Sequence, residues 1–222
     1  MRHLFLLAAL FCACISYAQI RVQERLPKSK TGFALTTAKT RAKIYYDVND
    51  ALVIKRSAEL FARDIQMVTG QKPELIPKRE RAKALVIVGT IEKNQWICEL
   101  AQKGKIDIRP LQGAWERYLI QTVDNPSPGV AKALVIAGSD RRGAAYGLFS
   151  ISEMMGVSPW YWWGDVPVKT HKALYVDAPP TYSKTPSVKY RGIFLNDEDW
   201  GLKPWAAKTF EKERGNIGPR TY

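Results

Sequence analysis

Runs of apolar residues divide the chain into alternating β-type and helical stretches. Residues 33–37 and 43–48 suit a pleated surface, the second through Ile44, Tyr45 and Tyr46. Asn49 or Asp50 then stands where a helix cap belongs, and apolar residues follow at Leu52, Leu60, Phe61, Ile65 and Val68, close to helical spacing. Gly70 takes the C-terminal position that favours a left-handed residue, and Pro73 and Pro77 mark a loop. Two continuous apolar runs, ALVIV at 84–88 and ALVIA at 133–137, each end at a glycine and predict central strands covered on both faces. Between them lie a helix over 92–103, with Trp96, Ile97 and Leu100 inward, and an alternating strand over 115–123. That strand enters the turn Asp124-Asn125-Pro126-Ser127-Pro128-Gly129. A helix over 141–156 starts at an Asp140 cap; Gly143, Ala144, Ala145 and Gly147 allow it to approach a sheet, and Leu148, Ile151, Met154 and Met155 form its apolar set. This order of elements predicts an α/β sandwich.

The pattern changes near the C-terminus. Leu174-Tyr175-Val176 gives one more short strand, and Pro179, Pro180 and Pro186 predict a linker over 179–187 between an α/β domain at 19–178 and a second domain at 188–222. Its first words, VKYRGIFLNDEDW at 188–200, read as a buried strand emptying into Asp197, Glu198 and Asp199. Neighbouring carboxyls raise one another's proton affinity, and glycosidic cleavage needs one raised carboxyl and one ionised. Capping a helical turn near Gly201 accounts for the same residues. The residues alone leave both readings open.

Composition narrows the setting. The chain has 222 residues, 46% hydrophobic and 11% aromatic, enough for a globular core. Arg2, an apolar run over 4–15 and the small-x-small site Ser16-Tyr17-Ala18 predict a signal peptide over 1–18, too short to span a membrane; lipid attachment through Cys14 is the alternative. The protein is therefore expected to be exported, periplasmic or secreted. Cys98 is then the one cysteine left, expected as a buried thiol, and no internal disulfide forms. A net charge of +13 points to acidic partners, but the basic residues are scattered, and a solvated basic surface explains the charge as well. Export argues against nucleic acid and leaves an acidic polysaccharide open.

Cofactor chemistry finds no anchor. His3 and His171 are far apart in sequence and Cys98 has no second soft ligand, so neither a metal site nor a cofactor is expected. The turn Gly138-Ser139-Asp140-Arg141-Arg142-Gly143 lacks both glycine orders that cradle phosphates, and no G-x-S-x-G is present. The aromatic run at 160–163, within SPWYWWGD, reads as inter-domain packing ahead of a platform for sugar rings.

Three passages carry a resemblance: GSDRRGAAYGLFSISEMMGVSPWYWWGDVPV at 138–168, VKYRGIFLNDEDWGLKPWA at 188–206 and TFEKERGNIGPRTY at 209–222. Together they resemble glycoside hydrolase family 115, the xylan α-1,2-glucuronidases. The resemblance implies a hexosaminidase-like α/β domain followed by the first strand of a truncated (β/α)8 barrel, a fold that needs about 250 residues when complete. It implies an inverting enzyme, without metal or cofactor, that removes glucuronic acid or its 4-O-methyl ether from glucuronoxylan or a related acidic polysaccharide, and a homodimer as the full-length protein. Carried onto this sequence, it makes Asp197 catalytic and places Asn196, Glu198 and Trp200 against substrate. Arg191 is expected inside the barrel as a partner of an acid, and Trp205 as packing. Because the second carboxylate belongs to later strands, the chain alone is expected to be inactive. A non-catalytic module that binds acidic polysaccharide is the alternative from another class.

Overall fold

The two continuous apolar runs form the middle of a sheet. In the computed structural model, which describes residues 19–161, 164, 166–194, 196, 202–209 and 212–214, the elements are β1 (Arg21–Gln23), β2 (Gly32–Thr36), β3 (Lys43–Tyr46), α1 (Leu52–Thr69), β4 (Leu75–Ile76), β5 (Ala82–Thr90), α2 (Gln95–Gln102), β6 (Tyr118–Ser127), β7 (Val130–Gly138), α3 (Arg141–Met154), β8 (Leu174–Asp177), β9 (Thr181–Tyr182) and α4 (Leu202–Thr209). The chain divides into two compact units, Met1–Pro186 and Ser187–Tyr222.

In the first unit the described strands form a six-stranded sheet in the order β4-β3-β5-β7-β6-β9 and a three-stranded sheet in the order β1-β8-β2. β4, β3, β5 and β7 run parallel to one another, whereas β6 is antiparallel to β7 and to β9. Alternation along β5 explains its apolar run at 84–88. Val86 and Val88 join Ile54, Phe61 and Ile65 of α1 and Leu148 and Ile151 of α3 in one core. Leu85 and Ile87 point the other way, into a core with Trp96, Ile97 and Leu100 of α2. Each such fully buried side chain contributes about 1.5–3 kcal/mol before the cost of ordering the chain. Phe33, Leu35, Leu174 and Val176 of the small sheet close over the first of these cores.

α3 lies close to the large sheet because its first turns carry no bulk. A Cβ on Gly143 would stand 2.1 Å from the Arg117 carbonyl oxygen, and one on Gly147 would stand 2.5 Å from Ile136 Cγ2. Asp140 caps the helix as expected, accepting the Arg142 and Gly143 amides at 2.9 and 2.8 Å.

Five expectations are corrected. α1 buries Ile54, Ala58, Phe61, Ala62, Ile65 and Val68, while Leu52 and Leu60 are 68% and 47% exposed. The alanines let the helix pack along a stripe that a search for large apolar residues misses. The helix starts after Ala51 with no side-chain cap, because Asp50 is engaged elsewhere. β6 continues to Ser127 through a bulge, with a register shift between Asp124 and Ser127 and Asn125 at φ 47°. Pro126 has no N–H for the ladder, so the strand bulges there without ending. Met154 is exposed. Thr181–Tyr182, expected in the linker, pairs with Ile120 and Leu119 of β6, and the Tyr182 hydroxyl donates to the Asp107 carbonyl at 2.6 Å.

In the second unit, the expected barrel strand is not formed over its described residues. Residues 188–194 belong to no strand, and Tyr190 and Phe194 are 88% and 91% exposed. A β-type sequence becomes a strand only when a neighbour takes its backbone hydrogen bonds, and no described strand pairs with it. α4 buries Leu202 and Ala206.

Candidate functional site

The acidic tip that the sequence singles out is described at its first residue. Asn196 is half-buried, and its carbonyl accepts the Leu202 amide at 2.7 Å, which ties the tip to the first residue of α4. Asp197, Glu198 and Trp200, with Asp199 between them, lie outside the described residues. Arg191 is exposed and donates through Nη1 to the carbonyls of Val188 at 2.6 Å and Lys189 at 3.4 Å, in place of the barrel-interior position expected of it. Lys189 Nζ stands 5.7 Å from the centre of the Tyr190 ring. Trp205 is half-buried on α4.

A second acidic group sits in the first unit, at the C-terminal ends of parallel strands, where open α/β sheets place their ligand sites. Here Asp47, Asp50 and Asp140 are each engaged by the fold. Asp50 accepts the Thr90 amide at 2.7 Å, the Thr90 hydroxyl at 3.1 Å and the Ala51 amide at 2.7 Å. Asp47, just past β3, accepts the amides of Asn49 at 3.0 Å and Gln95 at 3.3 Å. Asp140, past β7, holds the α3 amides through one oxygen and the Glu116 amide at 2.7 Å through the other. Buried carboxylates with several amide donors hold strand ends to helix starts. Asn94 does the same without charge, capping α2 through Oδ1 and donating to the Val88 carbonyl at 3.0 Å.

Asp64 differs from these. Burial between α1 and α3 pushes its carboxyl above the ordinary range, opposed by the Ser152 hydroxyl that donates to it at 2.6 Å and by the charge of Arg63. It borders an open groove of about 610 Å³ that also meets Tyr146, Phe149 and Tyr161. Glu116 is buried and meets Arg142 at 2.7 Å. Cys98 is partly buried, with its thiol pushed up by burial and donating to the Ile91 carbonyl at 3.3 Å. Among the described residues no three His, Cys, Asp or Glu side chains are placed to share a metal ion, and no helix is long and apolar enough to cross a membrane. In the aromatic run, Trp160 is exposed and Tyr161 packs against the helix-side core, while Trp162 and Trp163 lie outside the described residues.

Residues 183–222 match the family model for glycosyl hydrolase family 115. A search of curated proteins finds no significant match. Among solved structures, the chain is similar to BtGH115A, a family GH115 4-O-methyl-alpha-glucuronidase with specificity for decorated arabinogalactans, at 35% identity and a TM-score of 0.67, over 85% of this chain and 23% of that one. This chain thus spans about a quarter of that relative's length. Weaker likenesses to CpGH84D, at 11% identity and a TM-score of 0.43 over 73% of this chain and 22% of that one, and to the GH20 beta-N-acetylhexosaminidase of Streptomyces coelicolor A3(2), at 12% and 0.38 over 74% and 25%, add nothing to the reading. The family's sequence pattern at one end, and a structural likeness running through most of the chain, make this protein similar to glycosyl hydrolase family 115.

Proposed function

We propose that the chain is the leading part of an exported glycoside hydrolase that removes glucuronic acid, or its 4-O-methyl ether, from side branches of an acidic polysaccharide with inversion. Asp197 acts at the reacting sugar, and Asn196, Glu198 and Trp200 line the pocket. The observation that carries the reading is where the family pattern falls: residues 183–222 contain all four.

The chemistry follows from what inversion requires. One carboxyl group protonates the leaving oxygen while another, ionised, activates a water on the opposite face of the ring, about 6.5–9.5 Å away. Asp197 and Glu198 are neighbours in the chain and cannot face opposite sides of one sugar. Asp197 therefore serves one face, touching the glucuronate hydroxyls or the attacking water, and a carboxyl from another strand end of a (β/α)8 barrel serves the other. Since the chain spans 23% of its relative's length, this activity belongs to a protein of the relative's size, and these 222 residues assayed alone are expected to release no glucuronate.

The relative's specificity for decorated arabinogalactans and the xylan expected from the family differ in backbone and share the uronate, so the uronate is the recognised unit. The test is to express the protein through the end of its reading frame and incubate it with glucuronoxylan and with glucuronate-bearing arabinogalactan. Release of uronic acid from either, appearing first as the β-anomer by NMR, supports the reading; no release from both overturns it. Export is checked by N-terminal sequencing of the secreted protein, expected to begin at Gln19.

A further inference from the structure

The sequence scatters its cations, but the fold gathers four of them. Arg81 and Lys83 flank the first residue of β5, and Lys103 and Lys105 lie in the turn that leaves α2. All four border one open groove of about 790 Å³, at the end of the sheet where β5 and β7 begin. Among the described residues no Asp or Glu lines it.

The groove is built, and its positions are fixed by the backbone. The Ala82 amide donates to the Gly129 carbonyl at 3.0 Å, which locks the start of β5 to the hairpin turn between β6 and β7. Gly129, at φ 85°, leaves room for the Arg81 stem: a Cβ there would stand 2.8 Å from Arg81 Cγ. On the other wall the Lys105 amide donates to the Leu100 carbonyl at 2.9 Å, and its ammonium group donates to the Asn125 carbonyl. Arg81, Lys83 and Lys103 are exposed. Glu99 feels Lys103 through space, but both its oxygens are taken by Arg79 at 2.7 and 2.8 Å.

We infer that this groove holds a carboxylate-bearing stretch of the polysaccharide chain, as a binding surface additional to the acidic tip. Cations that meet no carboxylate among the described residues, around an open groove, attract a polyanion. Between them lie Pro126 and Pro128, apolar surface that suits the C–H faces of sugar rings. Among the described residues no aromatic side chain lines the groove, and a single-stranded nucleic acid would need one to stack its bases. The choice of polysaccharide rests on the proposed function; the preference for an anion rests on the groove alone.

The test uses the full protein, affinity electrophoresis in gels containing glucuronoxylan, the same polymer with its carboxyls reduced, or no polymer, and competition by duplex DNA. The double variant Lys83→Glu/Lys103→Glu is compared with Lys28→Glu/Lys172→Glu, which makes the same charge change at exposed positions elsewhere. Reversal in the groove is expected to weaken retardation by glucuronoxylan by about tenfold, with retardation falling as salt rises and activity on a short uronate-bearing oligosaccharide unchanged. The inference is overturned if both double variants lose binding equally, if neither does, if the carboxyl-reduced polymer binds as well, or if DNA displaces glucuronoxylan at lower concentration than free glucuronoxylan does. Salt-sensitive, groove-dependent binding by a protein that releases no glucuronate leaves the inference standing and removes the proposed function.

Discussion

The two ends of the six-stranded sheet are finished in opposite ways. Where β3, β5 and β7 end, Asp47, Asp50 and Asp140 have their oxygens occupied by backbone amides of the helices and loops that follow. Where β5 and β7 begin, Arg81, Lys83 and Lys103 face an open groove without carboxylates. Charge engaged inside the fold stabilises it and is withdrawn from ligand chemistry; charge left on a rim costs the fold little and remains available to a partner. Position at a strand end therefore does not by itself make an acid catalytic, and Asp47, Asp50 and Asp140 are structural.

The largest effect should come from breaking the engaged end. Asp50→Ala leaves the buried amide and hydroxyl of Thr90 and the partly buried amide of Ala51 without their acceptor and is expected to cost about 3 kcal/mol by denaturant unfolding, with Asp50→Asn recovering part of it. Next is the helix contact at the same end. Gly143→Ala puts a methyl 2.1 Å from a carbonyl oxygen and should cost about 2 kcal/mol as α3 moves off the sheet. Reversal at the basic rim should be nearly silent in stability. Lys103 ends α2, where the helix dipole favours a cation, so Lys83→Glu/Lys103→Glu loses about 0.3–1 kcal/mol, set against the weakening of about tenfold expected in polymer binding.

The smallest effect concerns Asp64. Its folded-state proton affinity is raised by burial, so the folded state holds that proton more tightly than the unfolded chain does. Protonation thus adds stability at low pH, and the contribution is lost as pH rises from the ordinary value of 3.8 through the higher folded value. Asp64→Asn, which can still accept from Ser152, should match the wild type in acid and be slightly more stable at pH 7, read as a divergence of two melting curves with pH.

Much of the first unit was legible because its strands carry their own signal. ALVIV at 84–88 and ALVIA at 133–137 can be satisfied only by a sheet covered on both faces, and the glycines after Asp140 announce a close helix. The α1 stripe was misread at Leu52 and Leu60 because small residues such as Ala58 and Ala62 carry the packing. The bulge at Asn125 hid behind residues that equally signal a turn. The cap expected at Asp50 failed because its partner, Thr90, is far along the chain and only the fold joins them. The basic groove was invisible for the same reason: residues 81, 83, 103 and 105 form no dense block in the sequence. At the acidic tip the family wording is readable, and the strand beneath it is not formed over its described residues, since a strand's existence depends on neighbours that its own residues do not encode.

The central claim is that Asp197 meets the sugar, whereas Asp47, Asp50 and Asp140 serve the fold. The most direct measurement is turnover of a 4-O-methylglucuronate-bearing oligosaccharide by the full protein carrying Asp197→Asn, with its folding checked by circular dichroism. A fall in kcat of about a hundredfold or more with an unchanged spectrum is the expected result. Normal turnover in a folded Asp197→Asn protein would contradict it.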